Sequence, residues 1–422
     1  MPVTTDAGVT ERTTQGAWAW LERRSDAALL FAVVLPLFVL FFLTSQRGLP
    51  YNIDAFSNAV PAWSIANHGT VHLDDYAGLT GPEYFGNVGW FVDVDGTAVS
   101  QYPPGAALWG VPFYLVGPDG LVVVTGTAVN APELGNVEIP IPPLGPAAAA
   151  AAAAVALAMG WLVLTFRPLV GTRSAIMAAA LAALGTSTWN VASSRLWQHG
   201  PAMMWLALAG LLASRSRLGA SGLSHGMAVL TRPLTAVVSA ATGLWVARRE
   251  RSWAPVVRVG LGATLGLAAV VGYNAVVFGT PSISGGYGGN FTDQALGSNP
   301  LWWAGNVVGA LFDPERGLLV WSPFLLVLVP GLRSAWRVAP AWIRGGAIGA
   351  VLYLLIQYKS NRFSGGGGFY GYRYPLEALV AAAPLLVLAF REWVAARPVA
   401  LKAFGLLAVA SVTLQAVVVV RF

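Results

Sequence analysis

The chain has 422 residues, of which 56% are hydrophobic and 10% are charged. A soluble domain of this size has about a quarter charged residues, so the composition excludes that class. The formal charge of +6 in so apolar a chain does not indicate nucleic acid, and the lack of cysteine excludes disulfides and thiolate chemistry.

Apolar stretches recur along the sequence, and many reach the roughly 17–25 residues that a membrane-spanning helix needs. Lipid offers the backbone no hydrogen-bond partner, so the spans must be helical. The sequence therefore predicts an all-α, polytopic membrane protein with about 11 transmembrane helices, external juxtamembrane helices and large external loops. Residues 1–26 lack the apolar core and cleavage site of a secretory signal and predict a cytoplasmic tail, and 27–422 predict a single membrane-embedded domain. The predicted spans are 27–44, 143–165, 174–193, 200–214, 220–231, 234–247, 255–278, 317–332, 345–358, 374–391 and 402–420.

The positive-inside rule orients these spans, with the amino end in the cytoplasm and the carboxyl end outside. A full span at 105–124 would move Arg167 and Arg173 outside, so we expect 105–116 to form an amphipathic or re-entrant helix at the outer face. Because the long predicted loops are external, we expect the protein to function on that side of the membrane. The predicted external loops are 45–142, 279–316 and 359–373, and the external basic residues are Arg47, Arg195, Arg232, Arg316, Lys359, Arg362, Arg373 and Arg421.

The first external loop contains the leading candidate for acid–base chemistry. Asp54 follows the first apolar run, so it lies close to the membrane surface, and its neighbours Ile53 and Phe56 indicate packing. A carboxylate at this position is suited to accept a proton from an attacking hydroxyl or to bind a cation. Other carboxylates of the loop, Asp74 and Asp75 among them, are the alternatives.

Two histidines in the same loop raise the question of a metal. His68 and His72 are four residues apart, and on a helix they would share a face that suits a metal ion. The other interpretation is a polar surface helix that ends near Asp74. The sequence therefore requires no metal or other cofactor but leaves a divalent cation open.

Two short motifs lie where the chain meets the membrane. In the segment 102–105, two prolines fix an extended entry to the next helix, and Tyr102 is a candidate to line a site. Trp197, Gln198 and His199 occupy a tight external turn. They fit either an interfacial aromatic anchor or a site in which His199 donates to a phosphate or a sugar hydroxyl.

External cations near the helix ends are the candidates for binding a phosphate. Arg232 stands before Pro233, where we expect two short helices to join, and Arg373 follows the glycine run 365–368. Cations beside glycine-rich backbone are able to hold a phosphate. The alternative is pairing with external carboxylates, for example Arg316 with Asp313 or Glu315. The further candidates are Lys359 and Arg362 for the phosphate, and Tyr51, Tyr370 and Tyr372 as lining residues.

Taken in order, these residues resemble the C-type superfamily of membrane glycosyltransferases. The nearest branch holds the protein O-mannosyltransferases and the lipid A aminoarabinose transferases. The resemblance extends over about 27–391. It is carried by Asp54 past the first helix, the corner 102–105, the turn 197–200, Arg232-Pro233, and the aromatic, glycine-rich segment 363–374.

The resemblance implies transfer of a sugar from a polyprenyl-phosphate-linked donor to a hydroxyl of a lipid, glycan or protein acceptor, on the external face of the membrane. It implies a single displacement with Asp54 as the base. The family often has two adjacent acidic residues here, whereas Ile53 and Ala55 flank Asp54. Carried over, the residues that hold the donor phosphate are Arg232, Arg373, His199, Lys359 and Arg362.

A transporter or flippase of lipid-linked saccharides, without transferase activity, is the main alternative. Such a protein needs ionisable residues within its spans, and the predicted spans are almost free of charge, with Arg232 at an end. A structural partner of an envelope complex is the third interpretation. The bias towards alanine, glycine, valine and arginine is typical of a GC-rich prokaryotic genome and suggests the plasma membrane of a prokaryote.

Overall fold

A computed structural model describes residues 22, 24–48, 51–80, 89–127, 136–287 and 290–421. These residues are mostly helical, with two separate two-stranded sheets. The predicted cytoplasmic tail lies almost entirely outside them. The helices long and apolar enough to cross a membrane are α1 (Asp26–Leu43), α4 (Leu144–Val170), α9 (Ala254–Phe278), α15 (Ala341–Ser360) and α17 (Pro398–Arg421).

The described residues between α1 and α4 are folded rather than an open loop. A helix, α2, begins where the Asn52 side chain accepts a hydrogen bond from the backbone N–H of Asp54, and it ends at His68, just before Gly69, whose φ of 70° suits glycine. Asp54 thus lies in the first turn of a helix that is buried along most of its length. The elements of this region are α2 (Ile53–His68), β1 (Phe91–Val94), β2 (Thr97–Ser100), α3 (Gly105–Leu115), β3 (Val122–Thr127) and β4 (Asn136–Ile141).

The prediction that 105–116 forms a helix of its own is confirmed by α3. Neither interpretation of His68 and His72 holds, because α2 ends at His68 and Gly69 turns the chain away, so the two histidines share no helical face and the helix stops well before Asp74. β1 and β2 form an antiparallel hairpin with Val94 opposite Thr97, and the positive φ values of Asp95 and Gly96 allow this two-residue turn.

The alanine-rich helix α4 is the centre of the helical part. It packs against α1, α5 (Thr172–Leu184) and α6 (His199–Ser214). Small side chains allow this close approach: a Cβ on Gly160 would lie 2.6 Å from Leu30 and Val34 of α1. The alanine run therefore has a packing role.

Glycines also join α7 (Leu218–Thr231) to α9. A Cβ on Gly266 would lie 2.0 Å from the carbonyl oxygen of Gly226, and a Cβ on Gly262 would meet Gly222 at 2.1 Å. Gly262 and Gly266, a small-xxx-small pair, therefore have a packing role. On its other side, α9 packs against α8 (Ala236–Glu250), which also packs against α15.

Two of the predicted spans are not single helices. The span 174–193 divides because α5 ends at Leu184 and a π-helical turn follows at Thr188–Ala192. The span 317–332 divides at Pro323 and Pro330, because proline removes a backbone donor and restricts the residue before it. The pieces of the second span are α12 (Leu318–Trp321), α13 (Phe324–Leu328) and α14 (Leu332–Val338).

The expected break at Arg232-Pro233 is confirmed. Arg232 has extended backbone, a 3-10 turn covers Pro233–Thr235, and α8 begins at Ala236. The break leaves the Arg232 side chain at the end of two helices, where it reaches a cavity. The remaining helices are α10 (Asn290–Gly297), α11 (Pro300–Phe312) and α16 (Pro375–Ala389).

Candidate active site

A cavity of about 1840 Å3 is enclosed between α2, the segment 101–103, the turn 194–199, the Arg232 break and the segment 361–374. Most of the charged side chains that line it are positive. Within the described part of the chain, Asp54 is the carboxylate that lines it. The arginines that line it are Arg195, Arg232, Arg316, Arg362 and Arg373.

Asp54 is held from three directions. Its Oδ1 accepts hydrogen bonds from the Trp90 indole N–H and the Tyr102 hydroxyl, and its Oδ2 accepts one from Arg373. The Asp54 and Arg373 side chains are 13% and 14% exposed, so this ion pair is largely removed from solvent. Tyr102 is itself fixed by the ring of Tyr287, with centroids 5.4 Å apart. Side chains of the protein itself therefore hold Asp54 in place.

This environment keeps Asp54 ionised. Burial by itself raises the pKa of its carboxyl, but the Arg373 charge and the hydrogen bonds from Tyr102, Arg373 and Trp90 outweigh burial and hold the pKa below its ordinary value. Burial also raises the pKa of Tyr102, and the nearby Asp54 charge raises it further. Tyr102 is therefore a neutral donor and Asp54 an acceptor.

A second buried polar cluster lies around Arg232. Its guanidinium is 3.0 Å from Glu377 Oε1 and 3.3 Å from Gln357 Oε1. His199 Nδ1 is 2.8 Å from the same Glu377 oxygen, and the His199 and Glu377 side chains are 3% and 0% exposed. Glu377 lies in the first turn of α16, behind the cavity wall. Its carboxylate compensates the charge of Arg232.

Tyr374 connects the two clusters. The Arg373 guanidinium lies 5.1 Å from the centre of its ring, and the Arg232 guanidinium lies 5.9 Å from it. Both distances suit a cation over an aromatic face. Asp54, Arg373, Arg232 and His199 therefore belong to one continuous site.

A third group of cations surrounds the backbone at 368–371. Arg195 donates to the Gly368 carbonyl oxygen at 3.1 Å, and Arg316 donates to the carbonyl oxygens of Phe369 and Gly371. The Phe369 ring lies between the guanidiniums of Arg316 and Arg373, at 4.2 and 5.6 Å from its centre. This segment therefore gathers three arginines.

Most of the residues singled out from sequence meet in this cavity. Arg362 contributes from its exposed rim, and Tyr370 is also exposed. The predicted site residues that line the cavity are Asp54, Arg232, Arg373, His199, Arg362, Tyr51, Tyr102, Trp197, Gln198 and Tyr370.

Four candidates lie elsewhere. Lys359 contacts Ser298 at 3.3 Å, and Tyr372 hydrogen-bonds through its hydroxyl to Ser322 at 2.8 Å. Asp74 and Asp75 form an exposed 3-10 turn, where Asp74 accepts a hydrogen bond from Thr97 at 2.9 Å. These four side chains do not line the cavity, so they are not placed to contact a ligand bound beside Asp54.

Within the described residues, the Arg316 guanidinium donates to backbone carbonyls and forms no ion pair with Asp313 or Glu315. Asp313 Oδ1 accepts the backbone N–H groups of Glu315 and Arg316, so it caps the chain instead of pairing with the Arg316 guanidinium. Within the described residues, no group of three or more histidines and carboxylates is arranged to hold a metal ion.

Sequence reasoning missed three participants. Trp90 carries no motif that distinguishes it from other aromatic residues, and Arg195 appeared only in the count of external cations. Glu377 did have a signal: it is an acidic residue inside the predicted span 374–391, and such residues are functional candidates by default.

Comparison with known proteins adds no relative. No protein-family model matches the chain, and no curated protein matches it.

Proposed function

We propose that this protein is a membrane glycosyltransferase that moves a sugar from a polyprenyl-phosphate-linked donor to an acceptor hydroxyl. The observation that carries the proposal is the single cavity in which a buried, ionised Asp54 faces an excess of arginines. Transfer of a sugar from phosphate needs both: an acceptor for the hydroxyl proton and positive charge for the leaving phosphate.

The proposed topology follows from the distribution of charge and apolar helices. In addition to the five long helices, the shorter helices α5 to α8, α12 to α14 and α16 complete about 11 spans of a hydrocarbon layer. The Asp54 cavity then opens at the external face of a prokaryotic plasma membrane, with the amino end in the cytoplasm. A polyprenyl tail is insoluble in water, so a site at that surface suits such a donor.

The proposed reaction is a single displacement. The acceptor oxygen forms a bond to the anomeric carbon while the bond from that carbon to the phosphate oxygen breaks. The electron pair leaves with the polyprenyl phosphate, and the hydroxyl proton goes to the Asp54 carboxylate. Inversion at the anomeric carbon follows, so a product that retains the donor configuration would contradict this step.

The depressed pKa of Asp54 fits a late proton transfer. A carboxylate paired with Arg373 is a weak base towards an ordinary alcohol. The attacking hydroxyl becomes acidic only as its oxygen bonds to the electron-poor sugar carbon, and at that stage a weak base is sufficient. Asp54 then acts first by its charge and hydrogen bonding and accepts the proton last.

Two measurements test the proposal. Mass spectrometry of lipid that co-purifies with the protein should find a polyprenyl phosphate or its glycoside. The purified protein should also release free polyprenyl phosphate from a synthetic glycoside when a membrane extract supplies acceptors. If no lipid co-purifies and no polyprenyl phosphate is released across a panel of sugars, the protein is not such a transferase.

The Glu377 cluster favours a second candidate function. A buried carboxylate paired with Arg232 and His199 inside a predicted span is what a transporter or flippase of lipid-linked saccharides uses to pass a polar head group. Proteoliposomes separate the two functions. Movement of a fluorescent polyprenyl-phosphate sugar between leaflets, without cleavage, supports the flippase, and cleavage in one leaflet supports the transferase.

A further inference from the structure

We infer that the donor phosphate binds at Arg195 and Arg316, against the backbone at 368–369, and not at Arg232. The polyprenyl tail leaves the cavity between the ends of α1 and α17. This inference rests on the proposed function and gives the donor a position and a direction within the site.

Arg195 is the first reason. Its side chain lies in the cavity wall and is 7% exposed, and its Nε has no hydrogen-bond partner among the described residues. Within the same residues, no carboxylate lies within ion-pair distance of it. Its neighbours are the Gly368 carbonyl and the Tyr51 ring, 5.3 Å from the guanidinium. A buried, unpaired charge is costly, and an anion in the cavity would remove that cost.

Arg316 is the second reason. It reaches the next carbonyl along the same backbone, that of Phe369, and its acidic neighbour Asp313 is occupied by backbone N–H groups. With Arg373, three guanidiniums converge on 368–369, and Asp54 pairs with Arg373 alone in this group. Among the side chains that line the cavity here, three are positive and one is negative, an excess of two; Asp313 and Glu315 lie outside the lining and offset only part of the Arg316 charge.

That excess matches the charge that develops during transfer. The phosphate of the donor is a diester with one negative charge. After the sugar has left, it is a monoester with a charge of about −1.5 to −2 at neutral pH. Arg195 and Arg316 therefore stabilise the leaving group more than the bound donor, which is the requirement for catalysis.

Arg232 has no such excess. Glu377 lies 3.0 Å from its guanidinium and is fully buried, so the pair is already neutral. A phosphate placed at Arg232 would also lie close to the Glu377 carboxylate, and like charges in a buried site repel strongly. The Arg232 cluster is thus better suited to uncharged hydroxyl groups than to the phosphate.

The direction of the tail follows from the apolar lining beside Arg195. The preceding residue, Ser194, accepts a hydrogen bond from the Gln46 backbone N–H at 3.1 Å, which places Arg195 next to the end of α1. At this end the cavity is lined by Leu43 of α1 and by Val418 and Val419 of α17. An aliphatic chain attached to a phosphate at Arg195 meets these side chains first.

Binding of undecaprenyl phosphate to the purified protein in detergent tests the inference. Arg195→Gln should weaken this binding about tenfold to a hundredfold, because a charge-assisted hydrogen bond is lost. Arg47→Gln, an exposed arginine near the end of α1, should bind as the wild type does. Inorganic phosphate, measured separately, should bind much more weakly than the lipid, because it has no tail.

A second variant separates charge from loop position. The Asn52 amide donates to the Gly367 carbonyl at 3.1 Å and its oxygen caps α2, so Asn52→Ala loosens both segments without removing a cation. In variants shown to be folded by gel filtration, equal losses in Arg195→Gln and Asn52→Ala would overturn the inference, as would a larger loss in Arg232→Gln than in Arg195→Gln. A wild-type protein that does not bind the lipid would contradict the proposed function itself. If the wild type binds the lipid and only Arg232→Gln loses binding, the inference is contradicted and the proposed function is not.

Discussion

Arg373 donates a hydrogen bond to the Asp54 carboxylate, although 319 positions of sequence separate the two residues. Their ion pair joins the first turn of α2 to the segment that leads into α16. Because both side chains are mostly buried, each one determines the charge environment of the other. Two predictions follow directly from this pair.

Replacement of Asp54 by asparagine should remove sugar transfer. Asparagine has nearly the same shape but accepts no proton, so we expect turnover to fall by about a hundredfold to ten-thousandfold. A transfer assay in detergent with a synthetic donor measures the effect, and a donor-binding assay should show retained affinity. Asp75→Asn, in the exposed turn at 74–76, is the control. Loss of transfer in Asp75→Asn with normal turnover in Asp54→Asn would move the base to that turn.

Removal of the Arg373 charge should shift the pH dependence. The pKa of Asp54 is held low, so the acidic limb of the wild-type rate profile lies below the ordinary range of a carboxyl group, and the stability from the ion pair is present at neutral pH and lost only below that range. In Arg373→Gln, burial is opposed only by hydrogen bonds, so the pKa of Asp54 and the acidic limb move to higher pH. Profiles that superimpose after scaling would show that Asp54 is not the titrating group.

Glu377 and Arg232 should behave as one unit in stability. Glu377→Gln leaves a buried guanidinium without its counter-ion, which typically costs about 3–5 kcal/mol. Arg232→Gln leaves a buried carboxylate in the same situation. The double variant should be less destabilised than the sum of the two, and thermal unfolding in detergent measures this double-mutant cycle. Additive effects would show that the 3.0 Å contact contributes no coupling.

The sequence was sufficient for the mostly helical, apolar character of the chain and for several local features. Apolar runs predict most of the helices, because lipid and the protein interior both require them. Arg232-Pro233 marks a real break, because proline chemistry is local. By contrast, the burial of α2 depends on contacts with residues far along the chain, and no local pattern distinguishes it from an exposed loop. The sequence therefore indicated Asp54 by its position after the first apolar run, and it did not predict the buried helix that contains it.

Many residues of the site were predictable, although Trp90, Arg195 and Glu377 were missed, but the pairings between residues were not. Arg373 and Arg232 were both identified as cations near helix ends, yet one pairs with Asp54 and the other with Glu377. Which carboxylate neutralises which arginine depends on the fold over more than a hundred positions, as does the convergence of Arg195 on Gly368. Among the three residues that sequence reasoning missed, only Glu377 carried a usable signal, which is its position inside an apolar predicted span.

The glycine contact between α7 and α9 should be sensitive to a single methyl group. A Cβ on Gly266 would lie 2.0 Å from the Gly226 carbonyl oxygen, so Gly266→Ala must separate the two helices. Gly260 lies on the same helix with nothing within 4 Å of its Cβ position, so it provides a matched control. We expect Gly266→Ala to lower the melting temperature in detergent. Gly260→Ala should leave it unchanged or raise it, because the helix preference of alanine over glycine stabilises the fold by up to about 1 kcal/mol. Equal melting temperatures for the two variants would show that this contact does not hold the helices together. Because α9 and α7 support the Arg232 break, we also expect Gly266→Ala, but not Gly260→Ala, to weaken donor binding.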